Sequence, residues 1–94
     1  TKGAFTTVLL VAVLVLIFST IAILQVETAP NSNIKTAEDA LWWSYTTIAT
    51  VGYGDKYPVT TGGRIIACIL MTVGVGLFGI FTAFLASWFV KDKE

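Results

Sequence analysis

The chain has 94 residues, of which 55% are hydrophobic, and it contains no histidine and one cysteine. Six basic and six acidic side chains give a formal net charge of zero. So apolar a composition excludes an ordinary soluble domain, and the balanced charge gives no reason to expect a nucleic-acid partner. An enzyme is also disfavoured, because no nucleophile has a histidine base and no phosphate-binding Gly-Lys-Ser/Thr pattern occurs.

The first apolar segment runs from Gly3 to Val26 without a charge. A membrane-spanning helix needs about 20 apolar residues, so we predict an outer helix over residues 4–27. A signal peptide is the alternative interpretation. It fits less well, because the apolar run is longer than a typical signal core and no small-residue cleavage site follows.

Residues 28–36 change to polar, turn-forming types and predict an exposed turret. The charges nearby, Glu27 and Lys35 among them, are expected to lie in water. Thr36 precedes two acidic residues, a pattern typical of a helix N-cap followed by an acidic first turn. A helix is therefore predicted over residues 37–49.

The segment from Ala40 to Gly54 is uncharged but too short to cross a bilayer as a helix. Its length and its glycines predict a re-entrant segment. Non-helical backbone at membrane depth must be shielded from lipid by protein or by a water-filled cavity, so partner chains should enclose it. Trp42 and Trp43 suit the membrane interface and could also pack behind the following loop.

The stretch from Thr50 to Asp55 reads Thr-Val-Gly-Tyr-Gly-Asp and looks like an ion-selectivity filter. Two glycines separated by one residue allow left- and right-handed backbone to alternate, which lets successive carbonyls point to one side. Rings of carbonyls from symmetry-related chains can replace the hydration shell of potassium. An ordinary loop is the competing interpretation of Gly-Tyr-Gly taken alone.

The last apolar segment, from Ile65 to Val90, carries no charge and predicts an inner spanning helix over residues 63–90. Pro58 ends any helical continuation before it. Cys68 lies within this helix and has no partner for a disulfide, so we expect it to be a small buried hydrophobe.

These segments together resemble the pore domain of tetrameric potassium channels, of the bacterial two-transmembrane or voltage-gated type. The resemblance is carried by Ala40-Leu41-Trp42-Trp43-Ser44, by the six filter residues and by Tyr57-Pro58-Val59-Thr60. It implies an all-α membrane protein in which residues 1–94 are a single pore domain. Two transmembrane helices, a re-entrant pore helix and the filter loop would assemble as a four-fold homotetramer.

The resemblance also assigns site residues. Potassium, the permeant ion, is expected at Thr50, Val51, Gly52 and Tyr53, with Gly54 completing the filter, and no organic cofactor is expected. Filter support is expected from Trp42, Trp43, Thr46 and Asp55. In similar channels the aspartate accepts a hydrogen bond from the first tryptophan. Some members carry a glutamate at the position of Thr46, so a carboxylate pair behind this filter is not expected.

The inner helix would contribute the cavity and the gate, at Val75, Phe78, Thr82, Ala86 and Val90. Gly74 matches the hinge glycine of the family, although packing explains a helix glycine equally well. Opening is expected at the bundle of inner helices and at the filter. A non-selective cation pore and a non-conducting membrane assembly subunit are the alternatives. Tyr53 argues against the first, and the second would not need a filter sequence.

Basic residues do not decide the orientation, because three lie at the ends and three in the loops (Lys2, Lys91 and Lys93; Lys35, Lys56 and Arg64). The resemblance implies cytoplasmic termini in the plasma membrane, with lipid as the surroundings. No arginine-rich helix of a voltage sensor occurs in these residues. The chain reads as a module of a longer polypeptide, so a sensor or regulatory domain is expected in flanking sequence.

Overall fold

The computed structural model describes residues 2–92, and within them the chain forms three helices. The first, α1, spans Lys2–Val26, the second, α2, spans Ala37–Ile48, and the third, α3, spans Thr61–Asp92. Each helix contacts the other two. The predicted all-α class with two apolar spans is therefore confirmed. Thr1, Lys93 and Glu94, at the ends of the predicted pore domain, lie outside the described residues.

By length and composition, α1 and α3 could each cross a membrane. Their surfaces leave large apolar side chains uncovered within the single chain, and Phe18 and Phe89 are each 69% exposed. A soluble monomer rarely exposes so much contiguous apolar surface. Lipid or further chains must therefore cover these helices.

The short helix α2 is fixed at its start by a capping box. Thr36 Oγ1 accepts a hydrogen bond from the Asp39 amide at 3.1 Å, and Asp39 Oδ2 accepts one from the Thr36 amide at 3.3 Å. These bonds satisfy backbone donors that the first turn of a helix leaves free. The predicted cap is confirmed.

The core forms where α2 packs between α1 and α3. Its largest fully buried apolar side chains are Ile23 from α1, Ile34 from the connection and Leu70 from α3. Trp43 and Ala40 of α2 are buried with them. Because α2 cannot span the membrane alone, this packing holds its C-terminal end at a fixed depth in the fold.

The inner helix begins two residues before the predicted position, because Thr60 caps it. The Thr60 hydroxyl accepts a hydrogen bond from the Gly63 amide at 3.0 Å, and its carbonyl accepts one from the Arg64 amide at 2.9 Å. A threonine in this position satisfies a free amide of the first turn. The helix therefore starts at Thr61.

Cys68 corrects one expectation, since its side chain is exposed rather than buried. The neighbouring positions Ala67 and Leu70 are the ones that pack into the core. A helix turns by about 100° per residue, so the Cys68 side chain does not point in the direction that Ala67 and Leu70 share.

Glu27 corrects a second expectation. Its charge was expected to lie in water, yet the residue is only 4% exposed. Its Oε2 accepts a hydrogen bond from the Val59 amide at 2.6 Å, and its Oε1 accepts bonds from the Thr60 amide at 3.2 Å and the Thr60 hydroxyl at 2.6 Å. One carboxylate therefore joins the end of α1 to the start of α3.

The same contacts determine the ionisation of Glu27. Burial raises the pKa of its carboxyl, but hydrogen bonds, the largest effects coming from the Thr60 hydroxyl and the Val59 amide, together outweigh burial and bring the pKa below its ordinary value. The unfolded chain then takes up the proton first as the pH falls. The stabilisation is thus present above the ordinary carboxyl pKa and is lost as the pH falls through the lower folded value.

We expect Glu27→Gln to destabilise the fold by about 1 to 3 kcal/mol, because the glutamine NH2 would face a donor where the carboxylate now accepts. The apparent melting temperature in detergent measures this. The difference from wild type should be largest at neutral pH and shrink below about pH 4. The exposed Glu38→Gln is the control and should change stability by less than about 1 kcal/mol. Equal melting temperatures for wild type and Glu27→Gln at neutral pH would contradict the role given to Glu27.

Candidate selectivity filter

The backbone from Thr50 to Gly54 alternates in handedness. Positive φ angles occur at Thr50 (61°), Gly52 (58°) and Gly54 (83°), while neither residue between them is among the positive-φ residues in the described range. Such alternation turns each peptide plane relative to the next. Glycine reaches this region without steric cost, which explains two of the three positions.

Thr50 adopts the left-handed conformation with a Cβ, which costs about 1 to 2 kcal/mol. Hydrogen bonds to the end of α2 hold it there. The Thr50 amide donates to the Thr47 carbonyl at 3.1 Å, and the carbonyl of Thr46 accepts from the amides of Val51 at 2.9 Å and Gly52 at 3.1 Å. The start of the filter is therefore attached to the pore helix by three of its amides.

These bonds determine where the filter carbonyls point. In a trans peptide the carbonyl is directed opposite to the amide of the next residue, and the described chain contains no cis peptide. Since the Val51 and Gly52 amides point at Thr46, the carbonyls of Thr50 and Val51 point away from α2. Two successive carbonyl oxygens therefore lie on the side of the filter opposite α2.

The Tyr53 side chain of the filter packs against Trp42 of α2. Tyr53 is 69% exposed in the single chain, and its ring stacks on Trp42 with the centroids 5.8 Å apart and the planes 4° from parallel. Such stacked aromatic pairs contribute about 0.5 to 1.5 kcal/mol beyond their buried area. Trp42 therefore contacts the outer half of the filter directly.

The same Trp42 holds the end of the filter through its indole. Nε1 donates a hydrogen bond to Asp55 Oδ2 at 2.8 Å. This is the geometry that the resemblance implies for the aspartate, and Asp55 is thereby tied to α2 rather than left as a free loop charge. Trp43, the next residue of α2, is buried.

Thr46 occupies the position behind the filter where a second carboxylate would be needed for a pair. Its side chain is buried, and its hydroxyl donates to the Trp43 carbonyl of its own helix at 3.2 Å. Among the residues 2–92, no group of three or more histidine, cysteine, aspartate or glutamate side chains could hold a metal ion.

The proposed cavity residues share one property, which is that none belongs to the buried core of the chain. Val75, Phe78 and Val90 are more than half exposed, and Thr82 and Ala86 are exposed as well. The Thr82 hydroxyl donates to the Phe78 carbonyl at 2.9 Å. This face of α3 is available to line a space between chains, and its role as a gate stays a prediction.

Gly74 lies where α3 crosses the end of the pore helix. A Cβ at this position would be 2.8 Å from the Ile48 carbonyl oxygen and 3.0 Å from the Ile48 Cα. Such contacts are too short for a side chain against backbone. α3 runs through Gly74 as a continuous helix, so the structure gives this glycine a packing reason, and its role as a hinge stays a prediction.

Two residues that brace the connections near the filter, Glu27 and Asn33, are not identifiable from the sequence. Glu27 stands at the edge of a polar segment, a position that predicts contact with water, and Asn33 is one of several turn-forming residues in that segment. The Asn33 amide contacts the chain just after the filter, at the Asp55 carbonyl and the Tyr57 amide. Its partners are more than twenty positions away in the sequence, so no local pattern could identify them.

Comparison with known proteins places this geometry in a family. A family described as "Ion channel" matches residues 5–91. The calcium-gated potassium channel TvoK of Thermoplasma volcanium is 38% identical over 86% of this chain, and the human potassium voltage-gated channel subfamily KQT member 4 is 36% identical over the same share. This chain covers 23% and 12% of those relatives.

Solved structures agree with the sequence relatives. The pore module of a voltage-gated K+ channel, crystallised in a closed state in lipid membranes, superposes with a TM-score of 0.84 at 34% identity, covering 99% of this chain and 98% of the other. A second pore domain of such a channel gives a TM-score of 0.76 at 36% identity, covering 92% and 95%. The fold and filter define a channel pore module. The chain belongs to the ion channel family.

We expect Gly74→Ala to destabilise the fold relative to Gly76→Ala by about 1 to 3 kcal/mol. Alanine improves helix propensity by up to about 1 kcal/mol at either position, but at Gly74 the methyl group overpacks against Ile48, which costs about 1 to 3 kcal/mol. A Cβ at Gly76 meets nothing within 4 Å in the chain. Melting temperatures of the two variants in one detergent measure the difference, and equal values would contradict the packing role.

Proposed function

We propose that four copies of this chain form a potassium-selective pore that conducts K+ passively across the membrane. The observation that carries this proposal is the alternating backbone of Thr50 to Gly54, with the Val51 and Gly52 amides bonded to Thr46 and the preceding carbonyls directed away from α2. One chain offers one oxygen at each level of the filter. A closed ring of four requires a four-fold axis beside the filter, and hence a homotetramer.

Each ring would take the place of water around a dehydrated ion. The carbonyls of Thr50, Val51, Gly52 and Tyr53 supply the rings, and the Thr50 hydroxyl adds one at the inner end. Gly54 continues the alternation to the outer mouth. Potassium is therefore the permeant ion, and it binds transiently at several adjacent levels of the filter. Repulsion between ions at neighbouring levels lets each ion leave, which reconciles binding with conduction.

The pore helix contributes to the cost of bringing a cation into the membrane. The C-terminal end of α2 carries the partial negative charge of the helix dipole, and it lies next to the start of the filter, where the Thr50 amide bonds to the Thr47 carbonyl. Four such ends, one from each copy, would surround the inner entrance. We assign the cavity and the inner gate to Val75, Phe78, Thr82, Ala86 and Val90.

We further propose that the filter faces outward and both termini lie in the cytoplasm at the plasma membrane. The stimulus for opening would come from elsewhere in the polypeptide. The relatives that match this segment are named for different stimuli, calcium and voltage, and a Rhizobium etli channel is named for cyclic nucleotides. The matched segment is what they share, so it fits the pore rather than a sensor.

The direct test is cation flux through the purified chain in liposomes. We expect uptake of K+ and Rb+ at least about 100-fold faster than uptake of Na+, because the carbonyl rings replace the hydration of the larger ions. Thr50→Ala should reduce the preference, since it removes the innermost ring of hydroxyls. Thr7→Ala, in the first turns of the outer helix, is the control and should leave the preference unchanged. Equal K+ and Na+ flux through wild type would replace this proposal with the non-selective pore.

Asp55 and Trp42 allow a sharper test of filter support. A hydrogen bond to a charged group is worth about 1.5 to 3 kcal/mol, so Asp55→Asn and Trp42→Phe should each shorten the conducting state. The double variant should be no worse than the more severe single one, because Trp42→Phe removes the same bond that Asp55→Asn weakens. Single-channel recording measures these lifetimes. Additive effects of the two changes would show that Asp55 acts only as a charge at the mouth.

A further inference from the structure

The segment that follows the filter is fastened to the turret by side chains that ion conduction does not use. Asn33 Nδ2 donates to the Asp55 carbonyl at 2.9 Å, and Asn33 Oδ1 accepts from the Tyr57 amide at 3.1 Å. Between those two residues, Lys56 Nζ pairs with Asp39 Oδ1 at 3.3 Å. We call Asn33, Asp39 and Lys56 the outer clamp.

Asp39 is itself held on the frame of the molecule. Its Oδ2 accepts hydrogen bonds from the amides of Lys35 at 3.2 Å and Thr36 at 3.3 Å, as part of the cap of α2. The hydrogen bond from the Lys35 amide is the main cause that lowers the pKa of Asp39, and the Lys56 ammonium acts in the same direction. The carboxylate is therefore charged at neutral pH and fixed in position.

The two attachments differ in strength. The side chains of Lys56 and Asp39 are 30% and 24% exposed, and partly exposed ion pairs are weakened by solvent and salt. Asn33 makes two oriented bonds with one planar amide, and both go to backbone groups on either side of Lys56. The two Asn33 bonds are exposed as well, but their backbone partners cannot swing away as a lysine side chain can, so Asn33 is the stronger attachment.

Asp55 is consequently held from two directions, by Trp42 at its side chain and by Asn33 at its carbonyl. We propose that Asn33 is a positioning residue for the outer end of the filter, that the Asp39–Lys56 pair assists it, and that the outer clamp sets the lifetime of the conducting state. This inference rests on the proposed function.

The conformation of Gly54 explains why such a clamp is needed. Its φ is 83°, and glycine passes between positive and negative φ at little cost. Release of Asp55 and Tyr57 would free Gly54 to rotate and to turn the outermost carbonyl out of its ring. The inner rings stay attached to Thr46. Loss of the clamp should therefore end conduction sooner without changing which ion is preferred.

The test records currents from the full-length tetrameric channel in planar bilayers and measures the rate at which current decays during sustained opening. We expect Asn33→Ala to speed the decay by roughly 5- to 50-fold, since two hydrogen bonds are lost. Lys56→Gln should speed it by less than about 5-fold, with the difference from wild type disappearing in high salt. The ratio of K+ to Na+ permeability should stay at the wild-type value in both variants.

Two further variants separate positioning from general stability. Asn31→Ala is the matched control, because Asn31 is an exposed asparagine of the same turret. Its side chain makes no hydrogen bond found within residues 2–92, so the current through Asn31→Ala should decay at the wild-type rate. Asn33→Asp keeps the acceptor for Tyr57 but sets an oxygen against the Asp55 carbonyl, so it should decay at least as fast as Asn33→Ala. Added external K+ should slow the decay in Asn33→Ala, because the ion favours the state that binds it.

The outcomes are distinguishable. A wild-type channel without K+ preference would overturn the proposed function. A K+-selective wild type with Asn33→Ala decaying at the rate of Asn31→Ala would overturn the clamp alone. A lower melting temperature for Asn33→Ala with an unchanged decay rate would also overturn it, because Asn33 would then serve only the fold.

Discussion

The two hydrogen bonds that the Thr46 carbonyl accepts from successive filter amides are the interaction on which the rest of the structure depends. An amide that is satisfied behind the filter leaves the carbonyl of the same peptide free in front of it. That arrangement needs the end of α2 to be fixed relative to the filter. The core around α2, the capping box at its start and the close approach of α3 at Gly74 all serve this requirement.

The energies explain why the support comes from many residues. Left-handed backbone at Thr50 costs about 1 to 2 kcal/mol, and in the proposed tetramer carbonyl oxygens directed at one axis would repel one another when no cation lies between them. A single neutral hydrogen bond contributes only about 0.5 to 1.5 kcal/mol. The filter is accordingly braced at its inner end by Thr46, at its outer end by Trp42, and at the following loop by Asn33. Glu27 then fixes the start of α3 to the end of α1.

The sequence predicted those features that local patterns encode. Uncharged runs of membrane length indicated α1 and α3, Thr36 with the acids after it indicated the start of α2, and two spaced glycines indicated the alternating backbone. Apart from the Trp42–Asp55 bond, which the resemblance implied, contacts between distant segments were not predictable, because the residues of one sequence do not show which of them meet. A charge at the position of Glu27 therefore predicted exposure to water, although Val59 and Thr60 donate hydrogen bonds to its carboxylate. The contacts of Asn33 with the loop after the filter had no local signal at all. Cys68 was misplaced because an apolar run in a membrane helix does not reveal which face packs against protein.

We propose that backbone oxygens of Thr50 to Tyr53 from four chains coordinate the permeant ion. Crystals of the purified protein grown in Rb+ or Tl+ test it most directly, since both ions resemble K+ in size and scatter anomalously. We expect a row of anomalous peaks on a four-fold axis, each surrounded by oxygens of neighbouring filter positions. Crystals that diffract well but show no peaks on such an axis, or filter carbonyls turned away from it, would contradict this coordination.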